Sequence, residues 1–284
     1  MFDLFDQAHG LLACVSAPST RLLVVPATAH GGVAHQLLWL LARRLAREGE
    51  QVLVVDGMAN EAAGTGLRAL LDTAPDTSTG GPAGAPVPWP GDWTEDVVAG
   101  VHILPARQGL MQLANQAHGQ PAGSTLRRLG QALPSGVFVL LTAPADLLAV
   151  LLQGTAARPL VPLDAQPRSL VEAYNAAKVL LQAGELSPVW VPMASSGRFA
   201  GGRGLDALDA PVAALAQCAR THLGVDVQIW PVAYDESRDT PADRVPEPWW
   251  FKVLDSALAV TSDSWASGPR PTAEVTAEPD SRRC

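Results

Sequence analysis

Positive charge is scarce in this chain. Lys and Arg together number 20 against 28 Asp and Glu, a formal net charge of −8 over 284 residues. That balance argues against broad binding to nucleic acid or to an anionic membrane surface, both of which need extended Lys/Arg faces. The one local basic cluster is Arg43, Arg44 and Arg47. Cysteine is also sparse. Cys14, Cys218 and Cys284 are odd in number, far apart and in no metal-ligand spacing, which fits a reducing cytosol better than a disulfide framework. No apolar run is long enough to cross a bilayer: the longest, residues 137–152, is broken by Pro144 and Asp146 and falls short of the roughly 20 residues a span needs. The chain begins MFDLFD, acidic where a secretory signal is basic, so no targeting peptide and a cytoplasmic location are expected.

Apolar material is plentiful: hydrophobic residues make up 48% of the chain and charged residues 17%, ample for a buried core. At about 150 residues per domain the length allows one large domain or two small ones. Short apolar runs alternate with helix-like stretches. Residues 21–26 (RLLVVP), 51–56 (QVLVVD), 101–104, 137–141, 160–162, 189–192 and 225–230 have strand character. Residues 34–48 place Leu37, Leu38, Leu41 and Leu45 at helical spacing, with Gly49 where a C-cap glycine belongs. Further helices are expected at 126–133, 169–183 and 207–222. Ser169 followed by Glu172 matches a capping box. The alternation predicts an α/β fold with a single doubly wound, mostly parallel sheet over residues 21–260. Residues 73–93, rich in Pro, Gly, Ser and Thr, read as a surface loop, and residues 265–284 as a disordered tail.

Between the first strand and the first helix lies Ala29-His30-Gly31-Gly32-Val33-Ala34-His35-Gln36, a Gly-rich turn at the place where backbone amides and a helix N-terminus cradle phosphate. It resembles the P-loop of the MinD/ParA family of ATPases, G-K-G-G-V-G-K-[ST], and matches it at Gly31, Gly32 and Val33. The departures fall on the chemistry. His30 stands where the family has its signature lysine, and His35 replaces the P-loop lysine with a shorter residue type that is mostly uncharged near neutrality. Gln36 replaces the Mg²⁺-binding hydroxyl, and Ala34 adds a Cβ where glycine lets the loop approach phosphate. VLVVDG at residues 52–57 resembles the family's VLLVDAD strand, keeping Asp56 but placing Met58 at the second acid. VFVLLTAPADL at residues 137–147 resembles the Walker B strand, with Thr142 at the acid that organises Mg²⁺. His30 and His35 also suit plain solvated loop positions, Asp56 suits local structural work, and no carboxylate or cysteine stands at metal-ligand spacing to either histidine.

Two further stretches are similar to FlhG (FleN), the MinD-like regulators of flagellar number. Asp6-Gln7-Ala8-His9-Gly10-Leu11 resembles their N-terminal D-Q-A-x-x-L-R element, with Leu12 in place of the arginine. Residues 166–180, QPRSLVEAYNAAKVL, resemble the pattern P-x-x-S-L-x-D-A-Y-x-x-x-K. In that family the N-terminal element docks on the signal-recognition-type GTPase FlhF, and its glutamine stimulates GTP hydrolysis. The resemblance implies that residues 1–16 bind such a partner, or another flagellar assembly protein, through Asp6, Gln7, Ala8 and Leu11. It implies a pseudo-ATPase needing no cofactor, with room for weak ATP or ADP binding. A homodimer would not be driven by ATP, and contact with the inner membrane would run through a partner. FlhG proteins commonly end in a membrane-targeting helix; residues 248–260 (PWWFKVLDSALAV) have that amphipathic form but only Lys252 against Asp255, which favours packing on the domain or a partner. An active MinD/ParA-type ATPase and a ParA-like accessory protein of another system, such as cellulose secretion, are the alternatives.

Overall fold

The computed structural model describes residues 20–28, 32–73, 94–95, 99–117, 120, 123–195, 205–234 and 247–260. Residues 1–16, His30, Gly31, most of the Pro/Gly-rich loop and the 265–284 tail lie outside the described residues. The strands are β1 (Thr20–Ala27), β2 (Val52–Asp56), β3 (Thr94–Glu95), β4 (Val101–Pro105), β5 (Phe138–Pro144), β6 (Leu160–Leu163), β7 (Val189–Ser195), β8 (Gln228–Ile229), β9 (Val232–Tyr234) and β10 (Leu258–Val260). The helices are α1 (Gly32–Arg47), α2 (Gly66–Thr73), α3 (Arg107–Ala117), α4 (Ser124–Ala132), α5 (Ala145–Leu152), α6 (Pro167–Gly184), α7 (Asp206–Leu223) and α8 (Glu247–Ser256).

The hydrogen-bond ladder falls into two groups. One runs β10-β1-β5-β2-β4-β3, parallel from β1 to β4 with antiparallel strands at both edges; the other is the parallel set β6-β7-β8, with β9 also on β7. The two groups nevertheless form one layer. β6 lies beside β1, and alternate residues of both groups feed the same two cores. Leu22, Val24, Leu53, Val55, Val139, Leu141, Val161 and Leu163 face one side. Leu23, Val25, Val52, Val54, Phe138, Leu140, Leu160, Val189 and Val191 face the other. Side chains alternate across a strand, so runs that are apolar at every position build two cores at once, as a sheet covered on both faces requires. The α/β class with a mostly parallel sheet is the observed architecture.

The two faces are covered unequally. Helices α2 to α7 all contribute buried residues to the first core. The second is closed by α1 and α8, which brings Trp249, Trp250 and Val253 into it. The segment 248–260 is therefore not one amphipathic helix. It is helical to Ser256, then turns and adds Leu258–Val260 to β1 antiparallel. Burial decides this: two indoles each hide on the order of 150–250 Å² when they enter a core, more than a solvent-facing helix could recover elsewhere.

Two local details differ from the sequence expectation, and the break at Pro144 is where the sequence puts it. The strand expected at 225–230 is two pieces, β8 and β9, in one register on β7, where Val189 pairs Gln228 and Met193 pairs Val232. Pro231, which has no N–H to donate, occupies the gap. Helix α6 starts at Pro167, its N1 position, so Ser169 lies inside the helix and does not cap it; its Oγ accepts the Asp164 amide at 3.0 Å and closes the preceding turn. The apolar run 137–152 splits at Pro144 into β5 and α5.

Candidate functional site

Parallel strands converge at their carboxyl ends, where ligands of such sheets bind. Strand β1 ends at Ala27, and α1 begins at Gly32 close behind it. Among the described residues, no atom lies within 4 Å of where a Cβ on Gly32 would stand. Val33 is half-buried against the second core. Ala34 is buried in it, with its methyl among the core residues of α1. Gln36 is half-buried.

His35, expected from the sequence at the P-loop lysine position, turns its side chain along its own helix. Its Nε2 accepts a 2.7 Å hydrogen bond from the indole Nε1 of Trp39, one turn further along α1, and the two rings meet edge to face with centroids 5.9 Å apart. The guanidinium of Arg43, a further turn along, lies 6.0 Å from the Trp39 ring centroid. The i, i+4 spacing puts all three on one ridge of the helix. Trp39 was not singled out from the sequence, although its place four residues after His35 was the available signal. Lysine from elsewhere is no substitute: the whole chain has two, Lys178 and Lys252, in α6 and α8.

Thr142 sits in the β5 ladder between Val25 of β1 and Asp56 of β2 and is buried. Its carbonyl accepts the Gly57 amide at 2.7 Å, tying the end of β2 to β5. A Cβ on Gly57 would come within 2.7 Å of the Ala143 Cβ and 2.8 Å of the Leu110 Cδ1, so only glycine fits this crossing. Asp56 Oδ1 accepts the Met58 amide at 2.8 Å, an Asx-type turn, and its backbone carbonyl accepts Ala106 N–H at 2.9 Å. The structure thus brings Asp56 and Thr142 side by side, with Asp56 engaged in the turn. Gly31, like the partner-binding candidates Asp6, Gln7, Ala8 and Leu11, lies outside the described residues.

Next to this edge lies a carboxylate the sequence did not advertise. Glu61 accepts the Arg68 amide at 2.9 Å from α2, and the Gln108 amide at 2.8 Å and Gly109 amide at 3.1 Å from α3. One side chain thereby satisfies the first turns of two helices. In α6, Tyr174 hydrogen-bonds the Cys218 side chain of α7; partial burial first and the neighbouring thiol second raise its hydroxyl above the usual tyrosine value.

Chemically, the α1 N-terminus offers backbone amides to an anion, and the Asp56 carboxylate, held by the Met58 amide, stands on the strand next to Thr142. Among the described residues no three His, Cys, Asp or Glu side chains converge on a metal position, and no helix is long and apolar enough to cross a membrane.

No protein-family model matches the sequence, and no curated protein matches it. Among solved structures it is similar to the MinD cell division protein of Aquifex aeolicus, at 11% identity and a TM-score of 0.48, over 84% of this chain and 99% of that one. It is also similar to an ATP complex of McdA from Cyanothece, at 14% and 0.47 over 84% and 89%. A plasmid partition protein of Borrelia burgdorferi is similar at 11% and 0.46, over 84% and 99%.

Proposed function

We propose that this protein is a non-hydrolysing, MinD/FlhG-like regulator that acts through protein contacts. One observation carries the proposal: the side chain at the P-loop lysine position, His35, is spent on Trp39 within its own helix. Phosphoryl transfer depends almost wholly on positioned charge around the phosphates and Mg²⁺. Here Thr142 and Met58 stand where the acids would be, and Asp56 holds a turn. The N-terminus of a helix is compatible with weak ATP or ADP binding but supplies no chemistry.

The partner we propose is an FlhF-type signal-recognition GTPase of flagellar assembly, met by residues 1–16. Asp6 is of a residue type that caps helices, and Ala8 and Leu11 would supply apolar contacts to the partner. Gln7 would orient the attacking water in the bound GTPase.

Three measurements test this. Purified protein incubated with Mg²⁺ and ATP should release no phosphate above a buffer blank, and its sedimentation should be the same with and without ATP. Turnover that disappears in His35→Ala, or an ATP-driven dimer, would overturn the pseudo-ATPase assignment. A peptide of residues 1–16 should stimulate the cognate GTPase and lose that effect with Gln7→Ala; a GTPase indifferent to both peptide and full-length protein removes the partner.

A further inference from the structure

Near the amino ends of β1 and β6, at the opposite end of the strands from the Gly-rich turn, is a cavity of about 430 Å³, lined by Ala156, Arg158, Trp230, Lys252 and the stretch from Asp255 to Ala259. That volume lies within the roughly 300–1,000 Å³ range of small-molecule sites. Its walls come from three places. Arg158 stands just before β6. Trp230 sits at the break between β8 and β9, its carbonyl already taken by Trp249 Nε1 at 3.0 Å. Lys252 and Asp255 project from α8, which then turns into β10.

The charges are the telling feature. Three other arginines are ion-paired within the chain: Arg44 with Glu48 and Glu247, Arg68 with Asp72, Arg220 with Asp226. Arg158 and Lys252 have no ion-pair or hydrogen-bond partner among the described residues, and Lys252 makes no bridge to Asp255 three residues away. Two cations against the one carboxylate of Asp255 leave this cavity with an excess of positive charge, in a chain of net charge −8.

We infer that this cavity binds a small organic anion, a phosphate or carboxylate, held between Arg158 and Lys252 with its apolar body against Trp230. Arg158 supplies a forked donor and Lys252 a point charge, while Asp255 limits the charge of the ligand by repelling a second anionic group. Binding here would tie the β6 side of the sheet to α8, and it owes nothing to the Gly-rich turn.

The test is calorimetric titration of the full chain with phenyl phosphate, benzoate and benzyl alcohol. One of the two anions should bind, and whichever binds more tightly identifies the headgroup; benzyl alcohol should bind about tenfold more weakly or not at all. Arg158→Gln and Lys252→Gln, both at exposed positions, should each weaken the anion by about tenfold. Asp255→Asn should strengthen it, and His35→Ala should leave it unchanged. The inference is overturned if neither anion binds, if the neutral probe binds as well as the anions, if both Gln variants bind as the natural protein does, or if His35→Ala abolishes binding.

Discussion

Removing the Glu61 carboxylate should loosen two helices at once. Its oxygens accept three backbone amides, Arg68 N at 2.9 Å from the first turn of α2 and Gln108 N and Gly109 N at 2.8 and 3.1 Å from that of α3. Gly66, at φ +74°, is bare where a Cβ would lie 2.5 Å from the Glu61 Cγ and 2.7 Å from the Pro105 carbonyl, so the backbone is shaped around this side chain. Losing a capping side chain costs about 0.5–2 kcal/mol per helix, and losing a carboxylate from a helix N-terminus about 0.3–1 kcal/mol more. Glu61 is partly exposed, which favours the lower ends of both ranges, so Glu61→Ala should cost about 2 kcal/mol. For a chain of this size that lowers Tm by roughly 4–8 °C. Glu61→Gln keeps one accepting oxygen and gives up the charge, so it should fall between. The assay is urea unfolding followed by far-UV circular dichroism, with the slope unchanged and the midpoint lowered. A Glu61→Ala protein within about 0.5 kcal/mol of the natural one, the range of an ordinary surface change, would refute the two-helix clamp.

Gly57→Ala forces a methyl to within 2.7 Å of the Ala143 Cβ where β2 leaves the sheet; overpacking of that kind costs about 1–3 kcal/mol, readable as a lower urea midpoint. Trp249→Phe keeps most of the ring volume but leaves the Trp230 carbonyl without its 3.0 Å donor, so a loss of about 1–2 kcal/mol is expected in the same assay. Trp250→Ala, at a residue 1% exposed, should cost about 3–5 kcal/mol; a much smaller loss would mean that α8 does not close the second core.

The alternation of strand and helix was legible in the sequence because β1, β2, β5 and β6 are apolar at consecutive positions, and only a sheet covered on both faces can bury all of them. Gly49 was legible as a helix end for the same local reason: after the last turn of α1 the chain needs φ +85°, and glycine adopts it freely. The identities of His35, Gln36, Met58 and Thr142 are local facts too, the same in any fold. Contacts distant in sequence were not legible. Nothing in residues 57–68 announces that Glu61 will meet amides 47 and 48 residues later. The pattern at 248–260 allowed a single amphipathic helix, and only the half-open second face of the sheet decided that Trp249 and Trp250 go inward while Leu258–Val260 pairs with β1. Ser169 has the form of a cap, but Pro167 at N1 begins the helix two residues earlier and leaves its hydroxyl to the Asp164 amide. Periodicity encodes which side of an element is apolar. Which surface that side meets, and which charges are left unpaired at Arg158 and Lys252, depends on segments brought together only when the sheet is assembled.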